Sequence, residues 1–173
     1  MAEKKTKAET AKSDKKEAST NAVSALDLLE ADHAEVEGYF EQYEQVEDAA
    51  EKEELALKIC MALRVHTQVE EEVFYPAARE AIEKTELIDE ALVEHASVKQ
   101  LIAEIEDMEQ EDELYDAKVK VLGEQVSHHI EEEEDELFPE VESSELDLEA
   151  LGKKMADRKA ALLKEAADES GPR

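Results

Sequence analysis

Two short segments of the sequence place a glutamate four residues after a histidine. They contain His66 with Glu70 and His129 with Glu133, and in both segments a hydrophobic pair and a proline follow. Residues four apart lie on one face of an α-helix, because 3.6 residues make one turn. Each segment therefore predicts a helix that presents an imidazole beside a carboxylate, a combination that suits iron, zinc, cobalt or manganese.

The two segments belong to a longer internal repeat. His66 and His129 are 63 residues apart, and a further pair, His33 and His95, is 62 residues apart. Both members of that further pair stand in the pattern acid-His-Ala-x-Val. The chain thus reads as two copies of one helical hairpin, with a histidine on the first helix and a His-Glu pair on the second.

Equal helix lengths bring the four histidines to one level. About fifteen residues separate His33 from a turn near residue 48, and about as many separate that turn from His66. His95 and His129 are spaced in the same way about their own turn. In an antiparallel bundle, four imidazoles and two carboxylates are therefore predicted to share one slice of the core.

Two buried carboxylates are costly in an apolar bundle unless positive charge neutralises them. A pair of divalent or trivalent metal ions would do so, and each carboxylate has two oxygens with which to bridge them. A simpler interpretation exists for each part, since one histidine on an apolar stripe is usually a hydrogen-bonded core residue, and Glu133 lies in an acidic run that suits a solvated face. The matched levels of four of the five histidines favour metal binding. The fifth, His128, is predicted at the surface.

The elements that position these residues should all be helices. Ala, Leu, Glu and Lys dominate, whereas the 173 residues include 4 glycines, 3 prolines and only 4% aromatic residues. We predict an all-α fold, an up-down-up-down four-helix bundle with an extra C-terminal helix and a disordered N-terminal tail. The predicted divisions are a Lys-rich tail, the bundle, and a C-terminal amphipathic helix with its tail, at residues 1–22, 23–142 and 143–173.

Apolar periodicity places the bundle helices in more detail. The second helix should kink or stop at Pro76, because proline lacks a backbone donor and clashes with the preceding turn. Leu92 on the third helix and Val121 on the fourth are expected to face inward. Residues 77–85 fit either a short helix or a connection. The four helices are predicted at about residues 24–47, 51–76, 86–108 and 114–137.

Charge and composition exclude several classes of function. The formal net charge of −29 argues against binding to nucleic acid or anionic membranes. No apolar run is long enough to span a bilayer or to form a signal-peptide core, so a cytoplasmic protein is expected. Cys60 is the single cysteine, which rules out an intramolecular disulfide and suggests core packing.

Other metal and catalytic motifs are missing from the sequence. It contains no HExxH zinc-protease motif and no glycine-rich phosphate loop. A ferritin-like carboxylate site needs two Glu-x-x-His motifs, and only Glu30 to His33 matches.

The constellation resembles the hemerythrin-like proteins of the HHE cation-binding type, over roughly residues 24–141. The resemblance implies that His33 and His66 bind one iron, that His95 and His129 bind the other, and that the two glutamates bridge the two Fe ions beneath an oxo or hydroxo group. In the family, O2 binds reversibly at an open position on one iron. The residues that carry the resemblance are His33, His66, Glu70, His95, His129 and Glu133.

One position departs from the oxygen-carrying members of the family. They have a further histidine four residues after the third-helix histidine, where this chain has Lys99. The iron at His95 would then have an extra open position, filled by water or an exogenous ligand, or a nearby group would rotate in. Lys99 is expected to pair with an acid.

Three functions follow from this reading of the sequence. The preferred one is a binding protein that stores or senses O2, NO or iron, with O2 or another small diatomic or peroxide ligand as its partner. The alternative is an enzyme that decomposes peroxide or oxidises Fe(II), which an extra open position would favour. A metal-free bundle that acts as an interaction module is the third.

Overall fold

The computed structural model of the protein describes residues 23–169. Within that range the regular secondary structure is entirely helical, which confirms the predicted fold class. The predicted N-terminal tail, residues 1–22, lies outside the described residues, as do residues 170–173. None of the helices in the described range has the length and apolar character needed to cross a lipid bilayer.

Two helical rods make up the first half of the bundle. The first rod is α1, Ala25–Gln45. The second begins with α2, Ala49–Val69, whose N-cap Asp48 accepts a hydrogen bond from the Glu51 amide. It then passes through a π-helical turn, Glu70–Phe74, and continues as α3, Tyr75–Ala81.

The second half repeats this plan. The third rod is α4, Glu86–Glu106. The fourth contains α5, Tyr115–Glu132, then a second π-helical turn, Glu133–Leu137, and α6, Phe138–Glu142. A last helix, α7, spans Leu148–Glu169.

The four rods pack as a closed ring. α1 packs on α2 and α4 on α5 as antiparallel hairpins, while α2 contacts α4 and α1 contacts α5. Helix α7 packs along the outside of the bundle, in the groove between α1 and α2. Close contact explains Gly152 in α7, because a Cβ there would lie 2.2 Å from the Val23 carbonyl oxygen.

The core is divided by a polar layer. One apolar cluster, which includes Leu29, Phe74 and Met155, fills the end of the bundle covered by α7. A second cluster, which includes Ile59 and Leu122, fills the end where the hairpins turn, and Cys60 is buried in it. The layer between them holds the predicted site, so both ends of that layer are sealed by hydrocarbon.

Two predicted core positions were wrong. Leu92 is 38% exposed and Val121 is 41% exposed. Ala91 is buried in place of its neighbour Leu92, and Leu122, also predicted to face inward, is buried beside Val121. With 3.6 residues per turn, the buried stripe can advance by three or by four residues, so apolar character does not identify which of two adjacent residues faces inward.

The second rod does not end at Pro76. The π-helical turn stands directly before this proline, and the Tyr75 amide bonds the Glu70 carbonyl, five residues back. The wider turn accommodates the proline, which would otherwise clash with the carbonyl four residues earlier. The fourth rod does the same before Pro139, where the Phe138 amide bonds the Glu133 carbonyl.

Candidate metal centre

The six predicted ligands meet in one buried slice of the bundle. Each of the four rods supplies one histidine, and the two π-helical turns each supply a glutamate. All six side chains are at most 7% exposed. The structure thus brings together His33, His66, Glu70, His95, His129 and Glu133.

The histidines form two pairs. The ring centroids of His33 and His66 lie 4.9 Å apart. Those of His95 and His129 lie 4.7 Å apart, with their Nε2 atoms separated by 3.0 Å. Each pair joins the two helices of one hairpin, as the matched helix lengths predicted.

The two carboxylates connect the histidine pairs. Oε2 of Glu133 lies 3.4 Å from Nε2 of His33 and 3.4 Å from Nε2 of His129. Oε2 of Glu70 lies 3.2 Å from Nε2 of His66 and 3.3 Å from Nε2 of His95. Each glutamate therefore contacts one imidazole of each pair, which is the placement that a bridging carboxylate needs.

Several inward-facing atoms of this slice lack hydrogen-bond partners. They are Nε2 of His33, both ring nitrogens of His66, Oε1 of Glu70 and Oε2 of Glu133. A buried polar atom left without a partner costs roughly 1–3 kcal/mol. Metal ions bound between the imidazoles and carboxylates would satisfy the Nε2 atoms and the carboxylate oxygens among them, so the donor set fits a dinuclear metal site.

The pKa values of the two glutamates in the slice shift in opposite directions. Burial would raise the pKa of Glu133, but His33 and His129 beside it hold that pKa well below its usual range. Burial and the negative charge of Glu133 raise the pKa of Glu70 well above its usual value. The two buried carboxylates therefore differ, with the pKa of Glu133 shifted down and that of Glu70 shifted up.

The pKa values of His33 and His66 also shift in opposite directions. Burial would lower the pKa of His33, but the nearby Glu133 carboxylate outweighs burial and raises it to about 9. Burial lowers the pKa of His66 to about 4. A metal ion would have to displace the protons of His33 and Glu70, because coordination requires the deprotonated forms.

Outer carboxylates orient three of the four imidazoles. Nδ1 of His33 lies 2.8 Å from Glu134, and Nδ1 of His129 lies 2.7 Å from Glu94. These bonds, made to the outward-facing nitrogens, direct Nε2 of each ring toward the centre. None of the outer partners was identified from the sequence, because they lie on other helices than the histidines that they contact.

The other two histidines have outer carboxylates that are themselves paired with lysines. Nδ1 of His95 lies 3.0 Å from Glu71, and Lys99 contacts both oxygens of that carboxylate at 2.6 Å. Lys99 thus pairs with an acid, as expected. Nδ1 of His66 lies 3.6 Å from Asp32, which pairs with a lysine of α7, Lys159.

Tyr75 is a polar residue of the slice that sequence reasoning missed. Its hydroxyl donates to Oε1 of Glu133 at 2.8 Å and lies 3.2 Å from Nε2 of His95. It also lies 3.5 Å from Oε2 of Glu70. Burial and the charges of Glu133 and Glu70 raise the pKa of Tyr75 well above its usual value, so the phenol keeps its proton in the absence of metal.

The π-helical turn explains why Tyr75 was missed. In an α-helix a residue five positions after Glu70 would lie about 140° round the axis and would face away from it. A π-helical turn places residues five apart one above the other, so Tyr75 joins the face of Glu70. The equivalent residue of the second repeat is Phe138, which stacks on His33 with a centroid distance of 5.9 Å. The two halves of the centre therefore differ.

Comparison with known proteins agrees with this geometry. The sequence model of the Hemerythrin HHE cation binding domain matches residues 24–141. A crystal structure of a Hemerythrin HHE cation binding domain-containing protein, the Rv2633c homologue from Mycobacterium kansasii, is 26% identical to the chain. The match covers 84% of this chain and 90% of that one, with a TM-score of 0.73. A search of curated proteins found no match.

Proposed function

This chain belongs to the Hemerythrin HHE cation binding domain family, and on that premise we propose that it holds two iron ions and binds O2 or a related small ligand beside them. The observation that carries the proposal is the contact of each buried glutamate with one imidazole of each histidine pair. Imidazole and carboxylate suit iron, and no thiolate is in the centre, because Cys60 is buried in the apolar cluster near the hairpin turns.

The proposed roles follow from the contacts. His33 and His66 would hold one ion, and His95 and His129 the other. Glu70 and Glu133 would lie between the two ions and offset part of their positive charge. When bound, an iron pair supplies an open coordination position and reversible electron transfer to a small ligand. The apolar clusters on both sides of the layer limit the access of water to that position.

Tyr75 is proposed as an added oxygen donor on the His95 side. Lys99 occupies the place of a further histidine but its ammonium group is paired with Glu71. The Tyr75 hydroxyl instead lies within 3.2 Å of Nε2 of His95. This phenol is the group best placed to complete the half of the centre that the missing histidine leaves open.

Tyr75→Phe is expected to keep the fold and to weaken iron retention. Loss of the phenol should lower the affinity of the His95 and His129 position about tenfold or more. The measurement is iron release to a chelator, with visible absorption of the ferric protein. A phenolate-to-iron band that only the wild type shows would indicate a direct bond, whereas weaker retention without the band would indicate action through Glu133.

Tyr43→Phe is the matched control for this variant. Tyr43 is also buried, but it hydrogen-bonds Asp116 at the other end of the bundle. Its replacement should leave iron retention unchanged. Equal retention in Tyr75→Phe and the wild type would remove Tyr75 from the proposed centre.

An enzyme that decomposes peroxide is the second candidate. The Tyr75 hydroxyl donates to Glu133 and so holds a proton inside a water-poor site. Decomposition of two peroxide molecules to water and O2 consumes no net protons, but O–O cleavage needs a proton delivered to the leaving oxygen, and oxidation of the second peroxide returns it. The phenol is the specific observation that favours this activity.

One experiment on the full chain separates the two candidates. We expect about two irons per chain by elemental analysis, as the paired donor sets indicate. Air added to the reduced protein should give a new spectrum, and reversal of that spectrum under vacuum supports ligand binding. Rapid loss of added peroxide with an unchanged iron spectrum supports the enzyme. Purified chain that takes up no iron under reducing conditions would contradict the proposed function itself.

A further inference from the structure

A second group of potential ligands lies on the surface between α4 and α5. Nε2 of His128 lies 3.2 Å from Oε1 of Glu132 and 3.9 Å from Oε1 of Glu94. One ligand atom from each of the three residues lies within 4.8 Å of the others. His128 is 64% exposed, so this cluster is open to solvent. An imidazole with two carboxylates, on two neighbouring helices, suits a divalent transition-metal cation.

The cluster shares Glu94 and Glu132 with the lining of an acidic groove. This groove, with a volume of about 560 Å³, is lined mainly by carboxylates of α4 and one of α5. An excess of negative charge along a groove concentrates cations at its surface. The lining residues are Glu86, Asp89, Glu90, Val93, Glu94 and Glu132.

A small cavity lies next to the groove. It has a volume of about 20 Å³ and shares Glu90, Glu94 and Glu132 with the groove. Its wall also includes His129 and Glu133 of the buried centre. A space of this size accommodates one particle as large as a water molecule. The three shared carboxylates therefore place the cavity between the groove and the buried ligands.

Glu94 physically connects the two sets of ligands. Its Oε1 faces His128, whereas its Oε2 lies 2.7 Å from Nδ1 of His129. Glu133, which also lines the small cavity, is 2% exposed, and its Oε2 faces His33 and His129 of the buried centre. Exposed acidic clusters are common on a chain with 49 acids. The imidazole, and a carboxylate that also contacts the buried His129, distinguish this one.

We propose that Glu94, His128 and Glu132 form an outer site for a divalent cation, and that Fe2+ passes from it through the small cavity to the buried centre. The cation keeps its charge and oxidation state in this step and exchanges one set of oxygen and nitrogen ligands for another. The transfer rests on the proposed function, whereas the outer site does not. Three cations per chain are then expected when both sites are full.

The first test measures the outer site with Mn2+ as the probe. The iron-loaded full chain is titrated with Mn2+, and free Mn2+ is followed by its magnetic resonance signal. One further ion should bind to the wild type, and Glu132→Gln and His128→Ala should each weaken that binding about tenfold or more. Glu131→Gln is the control. It removes the same charge from an exposed neighbour that lines a different groove, beside α1.

The second test measures the transfer. Metal-free protein is mixed anaerobically with Fe2+, and filling of the buried centre is followed by rapid spectroscopy. Glu132→Gln should load about tenfold more slowly than Glu131→Gln and the wild type, yet reach the same final iron content and spectrum. A merely structural role for Glu132 would change the final content and not only the rate.

Each outcome supports or overturns the proposal. Mn2+ binding that Glu132→Gln and Glu131→Gln weaken equally would mean nonspecific attraction to an acidic surface and would overturn the outer site. Specific Mn2+ binding with equal loading rates would overturn the transfer. If wild-type protein acquires no iron pair, the proposed function and the transfer both fail, and the Mn2+ titration of the metal-free chain then decides the outer site alone.

Discussion

Glu133→Ala is expected to abolish the retention of both iron ions. The Glu133 carboxylate contacts His33 in one half of the centre and His129 in the other, so its loss removes an oxygen from both positions. Loss of a supporting residue around a metal typically costs about 10–100-fold in affinity, and loss of a shared ligand should exceed that range. Elemental analysis after gel filtration in the presence of a chelator measures the effect.

The control for this variant is Glu131→Gln. Glu131 is an exposed acid of the same helix with a similar sequence context, and it should keep two irons. Circular dichroism of Glu133→Ala should still show a helical protein, because the two apolar clusters lie outside the polar layer. An iron content equal to that of the wild type would exclude Glu133 as a bridging ligand.

Removal of the metal is expected to lower the midpoint of thermal unfolding by about 8–16 °C. A ligand at a thousand times its dissociation constant stabilises the folded state by about 4 kcal/mol. Each kcal/mol shifts the melting temperature of a chain of this size by about 2–4 °C. The physical source is the set of buried atoms that have no partner without metal, including Oε1 of Glu70 and Oε2 of Glu133. Scanning calorimetry with and without chelator measures the shift.

The effect of metal removal on the midpoint of thermal unfolding should become smaller as the pH falls. The pKa of His33 is raised to about 9 and that of Glu70 lies well above its usual value, so protons compete with metal for both side chains. Lower pH favours the protonated forms and weakens metal binding, and higher pH strengthens it until about pH 9. His66→Ala removes a ligand of one of the two proposed ions, so chelator should lower its melting temperature by less than that of the wild type. Chelator-insensitive melting of the wild type would argue against a metal in the centre.

The buried slice shows how far local spacing predicts a site. A histidine and a glutamate four residues apart share a helix face whatever surrounds them, so His66 with Glu70 and His129 with Glu133 were found directly. His33 and His95 came from the repeat and from matched helix lengths. Those quantities are properties of the chain and of helix rise alone, and the structure places all four imidazoles in one layer.

Features that depend on helix rotation were not predicted. Leu92 and Val121 face solvent because the packing of the rods, and not apolar character, decides which neighbour is buried. Tyr75 enters the centre because a π-helical turn shifts the register of the helix by one residue, and the sequence pattern was read with α-helical spacing only.

Composition, repeat and spacing alone were enough for an all-helical bundle and for six residues with the chemistry of a metal site. Folding was needed to add the groups that surround them, such as Glu134 beside His33 and Glu94 between His128 and His129. The reason is geometric. Residues on one helix have neighbours set by a known period, whereas contacts between helices depend on rotation and crossing of the rods, which the packing of the whole core sets.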